Sequence, residues 1–267
     1  MLIFRKFRRH QPGRLISNFN TMRELDPSTA FGMTLYKEVT RQMLLALSAG
    51  EWKPGEAIPA EKRLCERFAV SIGTLRKAID ELVGENILIR HQGRGTFVAT
   101  HSRDQHLYRF FNVIRQDGEK SYPSLTLISF AKGTADRTAC DKLGMSSNAK
   151  AFQFTNVLSL HGEPVLVDDI TLPEALFAGL TDAQLRKRPN TLYNLYQAEF
   201  GLNVIRIEER LRAALASAAQ ARLLGIKTGA PLLEVHRVAL SYNDQPVEWR
   251  VSYVNTERYE YFSMVAQ

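Results

Sequence analysis

The chain has little cysteine: Cys65 and Cys140 are its only two, too few and too far apart for a disulfide framework. Neither has a neighbour at metal-ligand spacing, and the six histidines (His10, His91, His101, His106, His161, His236) form no HExxH or comparable cluster. No metal is expected, and the cysteine usage fits a reducing cytoplasm. No apolar run approaches the roughly 18 residues a membrane helix needs. The amino terminus offers one short apolar stretch, Leu2 to Phe4, and then charges, which is not a secretory signal. No membrane partner is expected. A phosphate loop and a paired nucleophile and base are missing as well, so no catalytic residue and no cofactor are expected.

What is present is positive charge, unevenly spread. The net charge is +7 over 267 residues. Residues 1–32 hold Arg5, Lys6, Arg8, Arg9, Arg14 and Arg23 against Glu24 and Asp26, a balance of +4. Residues 33–100 hold ten Lys/Arg against eight Asp/Glu, or +2. Such an excess points to an acidic partner. Residues 1–32 read as a disordered basic tail; a start at Met22 is the alternative, and much of that charge would then go. With 45% hydrophobic residues the chain can bury real cores, and two domains are the default at this length.

In residues 33–100, Leu35, Val39, Met43 and Leu47 recur at four-residue steps, placing them on one side of a helix that Gly50 ends. The stretch from Trp52 to Pro59 is turn chemistry, and a second helix can begin near Ala60-Glu61 with Leu64, Cys65 and Phe68 inward. Ser71 is a good N-cap for a third helix whose apolar stripe is Leu75, Ala78, Ile79, Leu82 and Val83. The outer face of that helix carries Ile72, Gly73, Thr74, Arg76 and Lys77, as a recognition helix needs if its first turn is to meet base edges and phosphates. Ile87 to His91, a Gln92-Gly93-Arg94-Gly95 turn and Thr96 to Ala99 then make a β-hairpin. Glycines beside Arg94 let the backbone approach a groove closely. Singly, each element is ordinary; their order is that of a winged helix-turn-helix.

Residues 35–98 resemble the GntR family of bacterial regulators. The resemblance is carried by Pro54 to Glu61 (Pro-Gly-x-x-x-Pro-x-Glu), by Val70-Ser71-x-x-Thr74-x-Arg76-x-Ala78 and by Gly93-x-Gly95-Thr96-Phe97-Val98. It implies contacts to double-stranded DNA by Lys62, Arg63, Ser71, Thr74, Arg76, Arg94 and Gly95, with Ile72, Gly73, Lys77 and Thr96 beside them. Family members often have Ser at the position of Ala60 and Arg at that of Ile72. Ile72 cannot make a bidentate guanine contact, but it can press on a thymine methyl.

Residues 101–106 are polar and read as a linker, which leaves 107–267 as a second domain. Here the chain echoes itself at an offset of 81 residues: Leu143-Gly144 and the following strand, turn and strand line up with Leu224-Gly225 and theirs. Gly144 pairs with Gly225, Ala149 with Ala230 and Val157 with Val238; Pro164-Val165 pairs with Pro246-Val247 after one insertion. Two such units predict one continuous antiparallel sheet with helices on one face, an α+β domain. Pseudo-symmetric halves leave a cleft between them. Polar residues that interrupt the apolar strands, namely Asn156, Asp168, Arg237, Glu248, Arg250 and Tyr253, point into it or lie on a solvent face.

Residues 107–262 resemble the UTRA effector-binding domain of HutC-type GntR regulators. The carrying stretches are Pro123-Ser124-x-Thr126-Leu127, Gly162-Glu163-Pro164-Val165, residues 191–202, residues 223–238 and residues 246–261. The resemblance implies a chorismate-lyase-like fold, a homodimer and a small-molecule effector such as a phosphosugar, a carboxylate or a related metabolite. It places Ser124, Asp168, Arg237, Glu248 and Tyr253 near the ligand. Phosphosugar-sensing members tend to have Arg-x-Arg where this chain has Asn156-Val157-Leu158, so one anionic group held by Arg237 or Arg250 is the expectation.

The expected function is a metabolite-responsive repressor acting on an inverted-repeat operator. Two alternatives come from other classes: a chorismate-lyase-like enzyme domain tethered to DNA, and a nonspecific nucleoid binder driven by charge, for which a steep salt dependence is the signature.

Overall fold

The computed structural model describes residues 34–100, 110–117, 121–188 and 191–262. The expected basic tail (1–32) and linker (101–106) lie outside the described residues.

Three helices and a hairpin open the described chain. Helix α1 (Leu35–Ser48) buries Val39, Met43 and Leu47, the stripe read from the sequence. Helix α2 (Glu61–Phe68) closes at Ala69, which sits in the left-handed region at φ 52 and donates its N–H to the Cys65 carbonyl. Helix α3 (Ile72–Gly84) starts at Ser71, whose hydroxyl accepts from the Thr74 N–H and so satisfies one of the orphan donors of the first turn. Strands β1 (Leu88–His91) and β2 (Gly95–Val98) pair antiparallel across a turn in which Gly93 and Gly95 take positive φ. Met43, Leu64, Leu75, Ile79, Leu82, Leu88 and Val98 form one core that joins all five elements.

The remainder is built on a six-stranded antiparallel sheet in the order β4-β5-β6-β9-β8-β7. Its first half is β4 (Ser124–Thr134), α4 (Arg137–Leu143), β5 (Lys150–Leu160) and β6 (Glu163–Pro173), followed by α5 (Asp182–Lys187) and α6 (Leu192–Phe200). The second half is β7 (Arg206–Leu215), α7 (Ala218–Leu224), β8 (Pro231–Leu240) and β9 (Pro246–Asn255). A short ribbon of β3 (Val113–Arg115) and β10 (Tyr259–Tyr261) completes it. The internal echo is thus a repeated strand–helix–hairpin unit. Asp136 caps α4 and Ser217 caps α7, both through the N–H three residues on, and Gly144 and Gly225 end those helices in the left-handed region. The caps and the terminal glycines thus recur at the same offset of 81 residues.

The sheet is covered on both faces, and the expectation of helices on one face is corrected. Helix α4 packs over Val238, Trp249 and Val251, while α7 packs over Val157, Val167 and Tyr253. The opposite face carries α5 and α6 over Phe152, Phe154, Ile170 and Leu172, and the β3–β10 ribbon over Leu158, Leu166, Val235 and Val254. A helix covering each face explains why β5, β6, β8 and β9 are apolar on both sides instead of alternating. No helix among the described residues is long and apolar enough to cross a membrane.

Candidate functional site

Two places combine exposed or buried charge with defined geometry. The first is the outer surface of the helix-turn-helix. Ser71, Ile72 and Gly73 are exposed at the start of α3, with Ile72 at 51%. The Ser71 and Thr74 hydroxyls lie 2.9 Å apart. Lys62 and Arg63 are exposed on α2, and Arg94 and Gly95 on the wing, with Thr96 half-buried behind them. Arg76 is held by Glu61 (2.8 Å) across the two helices, and Lys77 lies 4.1 Å over the Tyr36 ring. The positions named from the sequence thus lie on α2, at the start of α3 and on the wing, and these two cations are engaged with neighbouring side chains.

The second is a cavity of about 450 Å³ over the sheet face that carries α5, α6 and the β3–β10 ribbon. Cross-strand register sets the two rows of side chains from which its polar lining comes. One row runs Ser252, Asp168, Asn156, Leu127 across β9, β6, β5 and β4, and the next runs Glu209, Arg237, Arg250, Ile170 across β7, β8, β9 and β6. Arg250 donates from Nη1 to Asp168 and from Nε and Nη2 to Glu248, each at 2.9 Å. The Ser252 hydroxyl donates to the other Asp168 oxygen. Arg237 donates to Glu209 and to the Phe110 carbonyl, both at 2.7 Å. Helix α6 brings Tyr193 and Tyr196, one turn apart, so that both hydroxyls donate to Glu248 (3.1 and 2.6 Å).

Burial decides the charge states here. It pushes the Tyr193 and Tyr196 hydroxyls above their ordinary range, and the Glu248 carboxylate adds to the shift, so both remain protonated donors. Burial acts to discharge Arg250, but Glu248 and Asp168 more than offset it. Arg188 is different: burial lowers it to about 10, with Arg250 adding to the fall against a smaller opposing effect of Tyr196. A cation buried without a carboxylate loses hydration and gains no counter-charge.

Of the residues expected at the ligand, Asp168, Arg237 and Arg250 line the cavity. Glu248 is fully buried beneath them, where it positions Arg250 and the two tyrosines. Asn156 is also fully buried on the same face, outside the cavity wall, and neither of its amide atoms has a hydrogen-bond partner among the described residues. Ser124 is exposed beside the cavity-lining Pro123 and Leu125, with its hydroxyl on the Ser159 carbonyl. Tyr253 is corrected: it pairs with Val167 on the opposite face and packs beneath α7, because its neighbour Ser252 takes the inward position. Glu209, Ser252, Tyr193, Arg186 and Arg188 were missed. Strand parity from Arg250 could have found Ser252; nothing in a single sequence pairs Glu209 with Arg237. Among the described residues no cluster of His, Cys, Asp or Glu could hold a metal.

A third feature joins the two. The β8–β9 turn, with Asn243 and Asp244 both at positive φ, carries Tyr242 into the helix-turn-helix core, where it is 7% exposed. The Tyr242 hydroxyl accepts from Asn203 (2.8 Å), and Asn203 in turn accepts from Gln197 on α6 (2.9 Å). Asn243 donates to the Ser48 hydroxyl at the end of α1 (3.3 Å).

Comparison with known proteins matches residues 35–98 to the family of bacterial regulatory proteins called gntR, and residues 119–260 to the UTRA domain. An Escherichia coli protein named as the transcriptional repressor of a fructoselysine utilization operon is 27% identical over 80% of this chain and 87% of its own. The histidine utilization repressor of Pseudomonas putida is 26% identical over 80% and 84% respectively. The solved ligand-binding domain of a GntR-family regulator from Bordetella bronchiseptica aligns with a TM-score of 0.57 and 31% identity, over 60% of this chain and 99% of that one. These relatives are regulators, and none lends support to the enzyme alternative. The chain belongs to the gntR family of bacterial regulatory proteins, of the HutC type with a carboxy-terminal UTRA domain, and is a DNA-binding transcription regulator with an effector domain.

Proposed function

We propose that the protein is a metabolite-responsive repressor acting in the cytoplasm as a homodimer on an inverted-repeat operator, with its effector in the cavity beneath α5 and α6. The observation that carries this reading is the unbroken series of contacts from the cavity floor to the head: Glu248, then Tyr196 and Gln197 on α6, Asn203, and Tyr242. A ligand that reorders the Asp168–Arg250–Glu248 network has a physical route to the packing of α1 and α3. Its effect on DNA is then set by its differential affinity for the two arrangements. In this reading Lys62, Arg63, Arg94 and Gly95 meet phosphates, Ser71, Ile72, Gly73, Thr74 and Thr96 approach the groove, and Arg76 and Lys77 exchange their intramolecular partners for DNA. The sheet edges support the dimer, since β4 displays Leu125 and Ile128, and β7 displays Leu211 and Leu215, all exposed.

The test is a mobility-shift titration of the full chain on its own upstream DNA, with and without metabolites drawn from the neighbouring genes. Tyr242→Phe removes one hydrogen bond, about 1 kcal/mol, while keeping the ring in the head core. It should preserve operator affinity and cut the effector response several-fold. Loss of operator binding, or an unchanged response, would refute the relay; absence of any preference for the upstream region would refute the repressor reading.

A further inference from the structure

Four guanidinium groups line the cavity: Arg186, Arg188, Arg237 and Arg250. Three are already answered. Arg250 uses all three nitrogens on Asp168 and Glu248, Arg237 holds Glu209, and Arg186 holds Asp182 (2.7 Å) and the Leu127 carbonyl (3.1 Å). Arg188, directly after α5, donates from Nη1 to the Leu185 carbonyl and, among the described residues, to no other group. Its Nη2 is buried and has no hydrogen-bond partner among the described residues. The first turn of α6, Thr191 to Tyr193, lines the same cavity, and a helix start carries partial positive charge. The walls are apolar, with Leu125, Leu127, Leu158, Leu166, Leu192 and Val254.

We propose that the effector is a monocarboxylate with an apolar body and that Arg188, rather than Arg237 or Arg250, anchors its carboxylate. The inference rests on the cavity being the effector site. An incoming carboxylate at Arg237 or Arg250 must displace a buried, charge-assisted partner; at Arg188 it fills an unmet donor and supplies the missing counter-charge. A phosphate dianion needs a second uncommitted cation for comparable neutralisation, and position 156–158 supplies Asn-Val-Leu in place of an arginine pair. Arg188 discriminates by charge, while the leucine walls select the body.

Benzoate is a suitable probe, being one planar carboxylate on an apolar ring, with benzamide as its neutral counterpart and phenyl phosphate as the dianion. Binding to the full chain is followed by calorimetry and thermal shift in three proteins: wild type, Arg188→Met and the cavity-filling Leu158→Trp. Wild type should bind benzoate saturably and better than benzamide or phenyl phosphate. Arg188→Met should raise the benzoate Kd about tenfold or more, the loss expected for a charge-assisted pair, with the far-ultraviolet circular dichroism unchanged; Arg188→Lys should recover part of it. Leu158→Trp should also abolish binding. Benzoate binding that survives in Arg188→Met but fails in Leu158→Trp overturns the anchor and leaves the cavity as the effector site. Binding that survives both variants overturns the cavity reading itself. No benzoate binding in wild type, or tighter binding of phenyl phosphate, overturns the carboxylate class.

Discussion

Asn156 should be a position where replacement by leucine stabilises the fold. The side chain is fully buried between Leu127 and Asp168 in the cross-strand row, and both amide atoms lack partners among the described residues. Leaving a buried donor or acceptor unmet costs about 1–3 kcal/mol per group. Leucine is close to asparagine in size, removes the polar atoms and faces an apolar neighbour on one side. Asn156→Leu should therefore raise stability by about 2 kcal/mol, seen as a higher urea midpoint at unchanged slope and a melting temperature up by about 4–8 °C. Because the amide lies outside the cavity wall and holds no hydrogen bond to its cavity-lining neighbours among the described residues, the benzoate Kd should stay within about twofold. A lower urea midpoint at the same slope would refute the reasoning, since it would mean that the amide is satisfied in solution. A tenfold loss of benzoate affinity would instead make it a ligand-binding group.

Two further outcomes follow from the head. Arg94→Ala on the wing should weaken binding to operator and nonoperator DNA about equally and lower the salt-dependence slope by about 1, read from mobility shifts at several salt concentrations; loss of operator preference alone would show that Arg94 reads bases. Glu38 on α1 is lowered to about 2, chiefly by its hydrogen bonds from Arg41. Its folded-state value lies below the unfolded one, so its contribution is present above about pH 4.5 and is lost as pH falls towards 2. The pair is largely exposed, so solvent screening holds its contribution to about 0.5 kcal/mol at most. A carboxyl titration by NMR midway near 4.5 would contradict the pairing.

The head was legible almost element by element, because helix periodicity, the Ser71 cap and the Gly93/Gly95 turn are local signals. The duplicated unit was legible too, since the caps and terminal glycines that recur at positions 136–144 and 217–225 are short-range devices. The cavity was legible only in part. Asp168, Arg237 and Arg250 stand out as charges in apolar strands, but Tyr253 was assigned to the wrong face although it sits at odd spacing from Arg250. Glu209 looked like one charge among several on an edge strand until register placed it opposite Arg237. Arg188 carried no signal at all: that its Nη2 is buried without a partner among the described residues emerges only from three-dimensional packing. The expectation of a one-sided sheet failed because the crossover segment holding α5 and α6 folds back over a face that the repeat left bare.

The Tyr242 plug also bears on modularity. A head excised near residue 100 would lose a ring that its own chain never supplied and would expose to water the apolar side chains that ring covers. Grafting this head onto a foreign sensor would import the same defect unless the new hairpin offered a ring at the matching place. Recombining this head with another sensor therefore has a compatibility condition, written in one side chain of a turn far along the sequence from the helices it completes.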